Sequence, residues 1–403
     1  MNTFKKIYCR CFQTVFKIAL PFLPYRKPKI IGRLDDIPSV LAKKKKCHPI
    51  IITDPGIASL GLLKKLTDIL DDSQITYSLY DRTVANPTTE TVEEAYTIYK
   101  DNNCDSIIGF GGGSSMDCAK AVGVRIARPG TPLSKLGGIL KVRAKLPLLF
   151  AIPTTAGTGS ETTLAAVIVD AETRHKYAIN DFPLIPRFAV LDPQVTLTLP
   201  GFITATTGMD ALTHAVEAYI GNSTTPGTRK DALMATELIF NNLEKAYLDG
   251  SNVQARKNML KAAYYAGCAF TKSYVGYVHA VAHSLGGEYN VPHGLANAIL
   301  LPFVLESYGE SIHKKLHNLA IAAGVADADT PDDEAAKAFI DAIKEMKSKF
   351  NIKDIIPEIK EEDIPKMAKY ADKEANPLYP VPVLMDAKAL EQFYYMLMPE
   401  CDK

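Results

Sequence analysis

The sequence predicts an α/β fold: an N-terminal parallel-sheet domain followed by an all-helical domain. Three observations carry this. Between Ile30 and Leu191, short β-rich runs alternate with single helical patterns; after about residue 195 only long helical patterns remain; and four of the eight histidines fall between residues 209 and 293, inside the helical part. A length of 403 residues, 47% hydrophobic and 23% charged, suits a soluble globular chain of two or three domains with a full core.

The chain opens on an apolar, basic stretch at residues 1–27, with no acid before Asp35. No small-residue cleavage site follows, as a signal peptide requires, and Lys17, Pro21 and Pro24 interrupt it before it could span a bilayer. Two readings stay open: a helix lying on a membrane surface, or a helix docked on the protein's own surface or on a second subunit. The docked helix is the expectation.

A helical pattern at 36–45 ends in four lysines, a solvated helix end. Then come a strand at 48–53, a helix at 57–71, a strand at 75–80, a helix at 89–102 and a strand at 106–110. Strands joined by single helices imply right-handed crossovers and a parallel sheet. Further strands are expected at 146–152, 165–170 and 187–191, and a connector at 192–200 closes the domain near Pro193. The division is therefore 1–27 as an extension, 28–193 as the sheet domain and 194–403 as the helical domain. Helical patterns follow at 203–220, 226–248, 252–272, 278–288, 296–308, 310–322 and 331–350.

Two loops in the first domain invite a ligand. GlyGlyGlySerSer at 111–115 joins a buried strand to a helix, which puts backbone N–H groups and a helix N-terminus where a pyrophosphate can approach without Cβ obstruction. ProThrThrAlaGlyThrGlySer at 153–160 supplies a second polar loop directly after the next strand, so the domain reads as dinucleotide-binding. Asp54 closes the strand at 48–53, where a carboxylate accepts hydrogen bonds from ribose hydroxyls and repels a 2′-phosphate. NAD is thus expected over NADP. The plainer reading of Asp54-Pro55-Gly56 is a turn that starts the next helix.

In the helical domain, Asp210 and His214 stand four residues apart on one helix face, and His279 and His283 repeat that spacing on a second helix. AsnValProHisGly at 290–294 is expected to break that helix and present His293 from a turn. Imidazoles and a carboxylate without nearby cysteines suit a borderline divalent ion, Fe2+ or Zn2+, rather than a structural zinc. Glu217, one turn beyond His214, is either a partner to a ligand histidine or an ordinary helix salt-bridge residue.

These motifs resemble the iron-containing, group III alcohol dehydrogenases, whose fold is shared with glycerol dehydrogenase and dehydroquinate synthase. The resemblance covers roughly residues 28–400 and rests on GlyGlyGlySerSerMetAsp at 111–117, ProThrThrAlaGlyThrGlySerGlu at 153–161 and the His-rich block, in that order. It implies that Asp210, His214, His279 and His293 hold the metal and that His283 handles the proton beside the nicotinamide. It also implies that Gly111, Gly112, Gly113, Ser114, Ser115 and Asp117 form the pyrophosphate loop. Thr154, Thr155, Thr158 and Ser160 would lie on the nicotinamide side, Asn86 toward the cofactor and Lys176 near its ribose.

The chemistry that follows is NAD-linked, metal-dependent hydride transfer between a small primary alcohol or diol and its aldehyde, in the cleft between the domains. Glycerol or hydroxyacid oxidation on the same scaffold, a lyase that recycles NAD, and a non-catalytic scaffold protein are the alternatives. No Lys/Arg set surrounds the His block to seat the lyase's acidic phosphorylated substrate. The balance of 46 basic against 45 acidic residues gives no field for nucleic acid. Seven scattered cysteines read as thiols of a reducing cytoplasm rather than a disulfide framework. The resemblance implies a homodimer or larger assembly.

Overall fold

The computed structural model describes residues 1–399. Asn2 caps the first helix, α1 (Thr3–Ala19), by accepting a hydrogen bond from Lys5 N, and a short turn at Leu20–Phe22 continues it. The chain divides into two compact units: residues 24–199 form one, and residues 1–23 with the described residues from 200 onward form the other.

The first unit is built on β1 (Lys29–Ile31), β2 (Pro49–Ile52), β3 (Ser78–Tyr80), β4 (Ser106–Gly111), β5 (Gly138–Ile139), β6 (Leu148–Pro153), β7 (Ala165–Val169), β8 (Lys176–Asn180) and β9 (Phe188–Val190). Six of these make a sheet in the order β1-β9-β6-β4-β2-β3, and all its pairs are parallel. The helices are α2 (Ile37–Lys43), α3 (Pro55–Ser59), α4 (Leu62–Asp72), α5 (Thr89–Asp101), α6 (Gly113–Ala127) and the short α7 (Leu133–Leu136).

Alternation along β2 shows why helices cover both faces. Ile50 and Ile52 join a core with Val92 and Ala95 of α5 and Val122 of α6, while Ile51 joins another with Ile37 and Leu41 of α2 and Leu66 of α4. Each such isoleucine contributes roughly 1.5–3 kcal/mol on burial. The expected helix at 57–71 is split, because Gly61 takes a left-handed φ of 70° between α3 and α4. A small second sheet, β5-β8-β7, includes the antiparallel pair β7 and β8; the strand at 176–180 has no counterpart in the sequence reading.

The second unit, with α1, contains α8 (Gly201–Ile220), α9 (Pro226–Leu248), α10 (Val253–Ser273), α11 (Tyr277–Tyr289), α12 (His293–Tyr308), α13 (His313–Ala323), α14 (Asp332–Lys349), α15 (Ile364–Ala375) and α16 (Ala387–Leu397). Every residue of α8 from Gly208 to Ile220 is buried, as befits a helix apolar on all sides at the centre of a bundle. Gly208 lets α9 approach: a Cβ there would stand 2.3 Å from Leu243 Cδ1. The helices α15 and α16 were absent from the sequence reading. Their buried faces, Ile364, Met367, Ala368 and Ala371, and Leu390, Phe393, Tyr394 and Leu397, carry the expected helical spacing in short runs between irregular segments.

Helix α1 docks on its own unit. Gln13 Nε2 donates to the Tyr379 carbonyl at 2.7 Å, the Arg10 guanidinium donates to the carbonyls of Val381 and Pro382, and the Phe16 ring meets Tyr274 edge-on at 5.1 Å. Among the described residues no helix is long and apolar enough to cross a membrane.

Candidate active site

The helical unit gathers the predicted ligands. Asp210, His214, His279 and His293 each offer an atom within 4.8 Å of the others. Asp210 Oδ1 stands 4.0 Å from His214 Nδ1, 3.7 Å from His279 Nε2 and 3.4 Å from His293 Nε2. These separations are too long for direct hydrogen bonds and leave room for an ion among the four groups. His214 Nδ1 and His279 Nε2 are buried with no hydrogen-bond partner, a costly arrangement unless a cation fills the space. Donor chemistry and orphaned nitrogens therefore both fit a divalent metal.

Close helix packing makes this convergence. Contrary to the expected turn, His293 is the first residue of α12, with Pro292 setting the entry. Gly294 admits α8 beneath it, since a Cβ would stand 2.6 Å from the Thr206 carbonyl. Asn297, one turn further along α12, donates to Asp210 Oδ1 at 2.7 Å and lies 3.1 Å from His293 Nε2. It escaped the sequence reading because an asparagine in an apolar helix carries no spacing signal of its own.

Electrostatics follow from burial. Burial would raise the Asp210 carboxyl, but His214 and His293 outweigh it and hold the group well below the usual carboxylate range. Burial pushes His214 down to about 3, which leaves a neutral ring suited to metal binding. At His279 burial opposes the proton, but the nearby Asp210 and Glu217 carboxylates prevail and raise it to about 9.

Glu217, left open between two roles, is the hydrogen-bond partner of His279, one of the predicted ligands. Its Oε2 lies 2.6 Å from His279 Nδ1 and its Oε1 accepts from Val278 N at 2.8 Å, which turns Nε2 toward the cluster. Gly276 makes this fit, because a Cβ there would stand 2.6 Å from Glu217 Oε1. Phe270 stacks on His214 with centroids 4.1 Å apart.

His283 sits beside the cluster, its ring stacked on His293 at 5.1 Å. Its Nδ1 pairs with Glu374 Oε1 at 2.6 Å, and Tyr379 donates to the same oxygen at 2.7 Å. Burial works against the Glu374 charge, yet His283 and Tyr379 keep its pKa below the usual value. Glu374 went unseen because α15 itself was missed. Tyr274, between Phe16 and Tyr379, holds φ 61° and ψ −179°, a conformation a bulky residue adopts only under tertiary constraint.

The sheet unit gathers the other predicted residues. Gly111 (φ 151°), at the end of β4, cannot carry a side chain: a Cβ would stand 2.5 Å from Ser115 Oγ and 3.0 Å from Asp54 Oδ2. At Gly112 and Gly113 a Cβ would meet Thr155 Oγ1 at 4.0 Å and Thr158 Cγ2 at 3.5 Å, so the two loops face one another across a bare-backbone surface at the N-terminus of α6. This cradle of N–H groups fits a pyrophosphate. Asp54 caps α3 by accepting from Ile57 N, as the turn reading expects, and it also accepts from Ser115 Oγ at 2.8 Å. Lys176 Nζ donates to Asn86 Oδ1 at 2.7 Å, and Asn86 N donates to Ser114 Oγ at 3.3 Å. Thr154 N donates to the Gly111 carbonyl, locking the loops together.

Asp117 and Ser160 are turned toward each other behind these loops. Ser160 Oγ donates to Asp117 Oδ1 at 2.8 Å and accepts from the buried Lys120 Nζ at 2.9 Å, and Asp117 Oδ2 takes Val167 N. Burial lowers Lys120 to about 8 and raises Glu161, nearby, to about 7. Neither Lys120 nor Glu161 was picked out from the sequence.

Residues 29–193 match the iron-containing alcohol dehydrogenase family, and residues 204–397 match its C-terminal domain. The chain belongs to the iron-containing alcohol dehydrogenases. Alcohol dehydrogenase 4 of Schizosaccharomyces pombe is 39% identical over 83% of this chain and 79% of its own length. A 1,3-propanediol dehydrogenase of Klebsiella pneumoniae is 36% identical over 90% of this chain and 94% of its own. A crystal structure of a 1,3-propanediol oxidoreductase superposes with a TM-score of 0.88 at 32% identity, over 93% of this dehydrogenase and 98% of that chain. The protein is thus a metal-dependent enzyme of the alcohol dehydrogenase class, acting between a small alcohol and its aldehyde.

Proposed function

We propose that this dehydrogenase oxidises small primary alcohols or diols with NAD, using Fe2+ held by Asp210, His214, His279 and His293. The supporting observation is the pair of orphaned, buried imidazole nitrogens aimed at the Asp210 carboxylate. When bound there, the ion supplies Lewis acidity toward an alcohol oxygen, and the nicotinamide supplies the hydride acceptor.

The chain's own residues then have separable tasks. Glu217 fixes the His279 tautomer by taking its Nδ1 proton in a 2.6 Å hydrogen bond. His283 relays the proton: Glu374, anionic and bonded to Nδ1, leaves the opposite ring nitrogen to accept from the alcohol and stabilises the imidazolium that forms. Phe270, stacked on His214, shields one side of the cluster with apolar surface. In the sheet unit, Gly111, Gly112, Gly113, Ser114, Thr154, Thr155 and Thr158 cradle the cofactor phosphates and nicotinamide side, Asn86 and Lys176 act as one bonded pair toward the ribose, and Asp117 and Ser160 hold the loops in shape. Asp54 selects NAD, since a 2′-phosphate would meet its carboxylate.

The division of labour we propose assigns the dinucleotide to the sheet unit and the metal and substrate to the helical unit. A homodimer in a reducing cytoplasm is the setting, in keeping with free thiols at Cys9, Cys11, Cys47, Cys104, Cys118 and Cys268. The test is protein purified without oxygen, analysed for metal and assayed for NADH with short alcohols and diols, with Fe2+ or Zn2+ restored to stripped enzyme. Equal turnover by stripped and loaded protein would overturn the metal role, and a preference for NADP would overturn the role of Asp54.

A further inference from the structure

Helix α1 has two apolar faces, and only one of them is covered. Cys9, Gln13 and Leu20 are buried against the helical unit, where Gln13, Arg10 and Lys5 bond to Tyr379, Val381 and Asp372. The opposite face carries Phe4, Ile7, Tyr8, Val15 and Ile18, and the following turn adds Phe22. Phe4 and Phe22 are 86% and 84% exposed, and Val15 and Ile18 are 68% and 65% exposed. A continuous row of large apolar side chains left in water marks a surface that something covers.

Charge decides what covers it. Residues 1–34 hold Lys5, Lys6, Arg10, Lys17, Arg26, Lys27, Lys29 and Arg33 with no acid, whereas the whole chain is only +1, so all that follows is net acidic. Lys6 and Lys17 are exposed on the flank of α1 between its buried side and the apolar row and make no ion pair among the described residues. A second copy of this face would set these lysines against their own kind. An anionic bilayer accepts them: the aromatic and aliphatic tips enter the interface, and the long flexible lysines on the helix flank are drawn to lipid phosphates.

We infer that α1 is a membrane-surface helix that holds the enzyme on anionic lipid through Phe4, Ile7, Tyr8, Val15, Ile18 and Phe22, with Lys6 and Lys17 reaching the headgroups. The inner face is built into the fold, so docking on the protein and contact with lipid are properties of one helix.

The test is sedimentation of the full chain with vesicles of equal parts phosphatidylcholine and phosphatidylglycerol, against pure phosphatidylcholine, at low and high salt. Binding is expected to the anionic vesicles and to fall with salt. The pair Lys6→Gln and Lys17→Gln should weaken it by about fivefold per lysine. The pair Val15→Glu and Ile18→Glu, both at exposed positions, should abolish it while NADH formation in solution stays at the parent level. Equal binding to neutral vesicles, or unchanged binding by both pairs, would overturn the inference. So would a loss of oligomer mass in light scattering with the glutamate pair, which would make the face a subunit contact. If the glutamate pair loses turnover, the lysine pair and the salt series on the parent chain still decide.

Discussion

The candidate metal cluster of the helical unit and the candidate cofactor loops of the sheet unit are built by opposite means. In the helical unit the chemistry lies in side chains brought together by close helix packing: Asp210 is 1% and His279 2% exposed, with Glu217 and Asn297 behind them. In the sheet unit it lies in the absence of side chains, at Gly111, Gly112 and Gly113, with polar groups arranged around bare backbone. A metal needs specific donor atoms at fixed points, whereas a pyrophosphate needs many N–H dipoles and room. The first kind of site should fail when an atom is removed, and the second when one is added.

The sharpest break removes a donor. His279→Ala should leave protein that binds little metal and lowers kcat by about a thousandfold or more, against the several kcal/mol a Lewis acid supplies. Metal analysis beside steady-state kinetics reads this; full metal content in that variant would refute the ligand set.

Removing only the group behind the donor is gentler. Glu217→Gln should lower metal affinity or activity by about ten- to hundredfold, as loss of a carboxylate orienting a ligand histidine does. Titration of stripped protein with Fe2+ or Zn2+ measures it, and an unchanged affinity would return Glu217 to a structural role.

The complementary break adds one carbon. Gly111→Ala forces a Cβ into the space of Ser115 Oγ and imposes a φ of 151° on a non-glycine residue. At about 1–3 kcal/mol for such overpacking, NAD affinity should drop by about ten- to hundredfold while metal content stays at the parent level. Loss of metal instead would erase the contrast.

The smallest effect concerns the buried cluster behind the loops. Burial raises the folded-state pKa of Glu161 from 4.5 to about 7, so between these values the folded chain holds a proton that the unfolded chain has released. Stability therefore declines as pH rises from about 4.5 to 7 and levels off above. Glu161→Gln should flatten that decline in thermal melts. A slope identical in parent and variant would show that other groups cause it.

Much of this was legible from residue order. The strands at 48–53, 106–110 and 146–152 announce themselves by β-branched runs, and Asp210, His214 and His279 by spacing on helices long enough to be unmistakable. Glu374 was not, because α15 is a short helix between irregular segments, and its relation to His283 spans 91 residues. The same holds for Lys120, whose partners Ser160 and Thr163 lie 40 and 43 positions away, and for His293, whose place at a helix start rather than in a turn depends on how α12 meets α8.

By itself, then, the sequence determined the local choices: which runs become strands or helices, where glycine must stand at a strand end, and which donor types could bind a metal. These follow from near-neighbour sterics and side-chain chemistry. Only the tertiary structure decided which carboxylate serves which histidine, that Asp117 and Ser160 brace each other, and that α1 turns one apolar face inward and leaves the other outside. Those outcomes depend on close packing between segments far apart in the chain, where a contact of a few tenths of an ångström selects one partner over another.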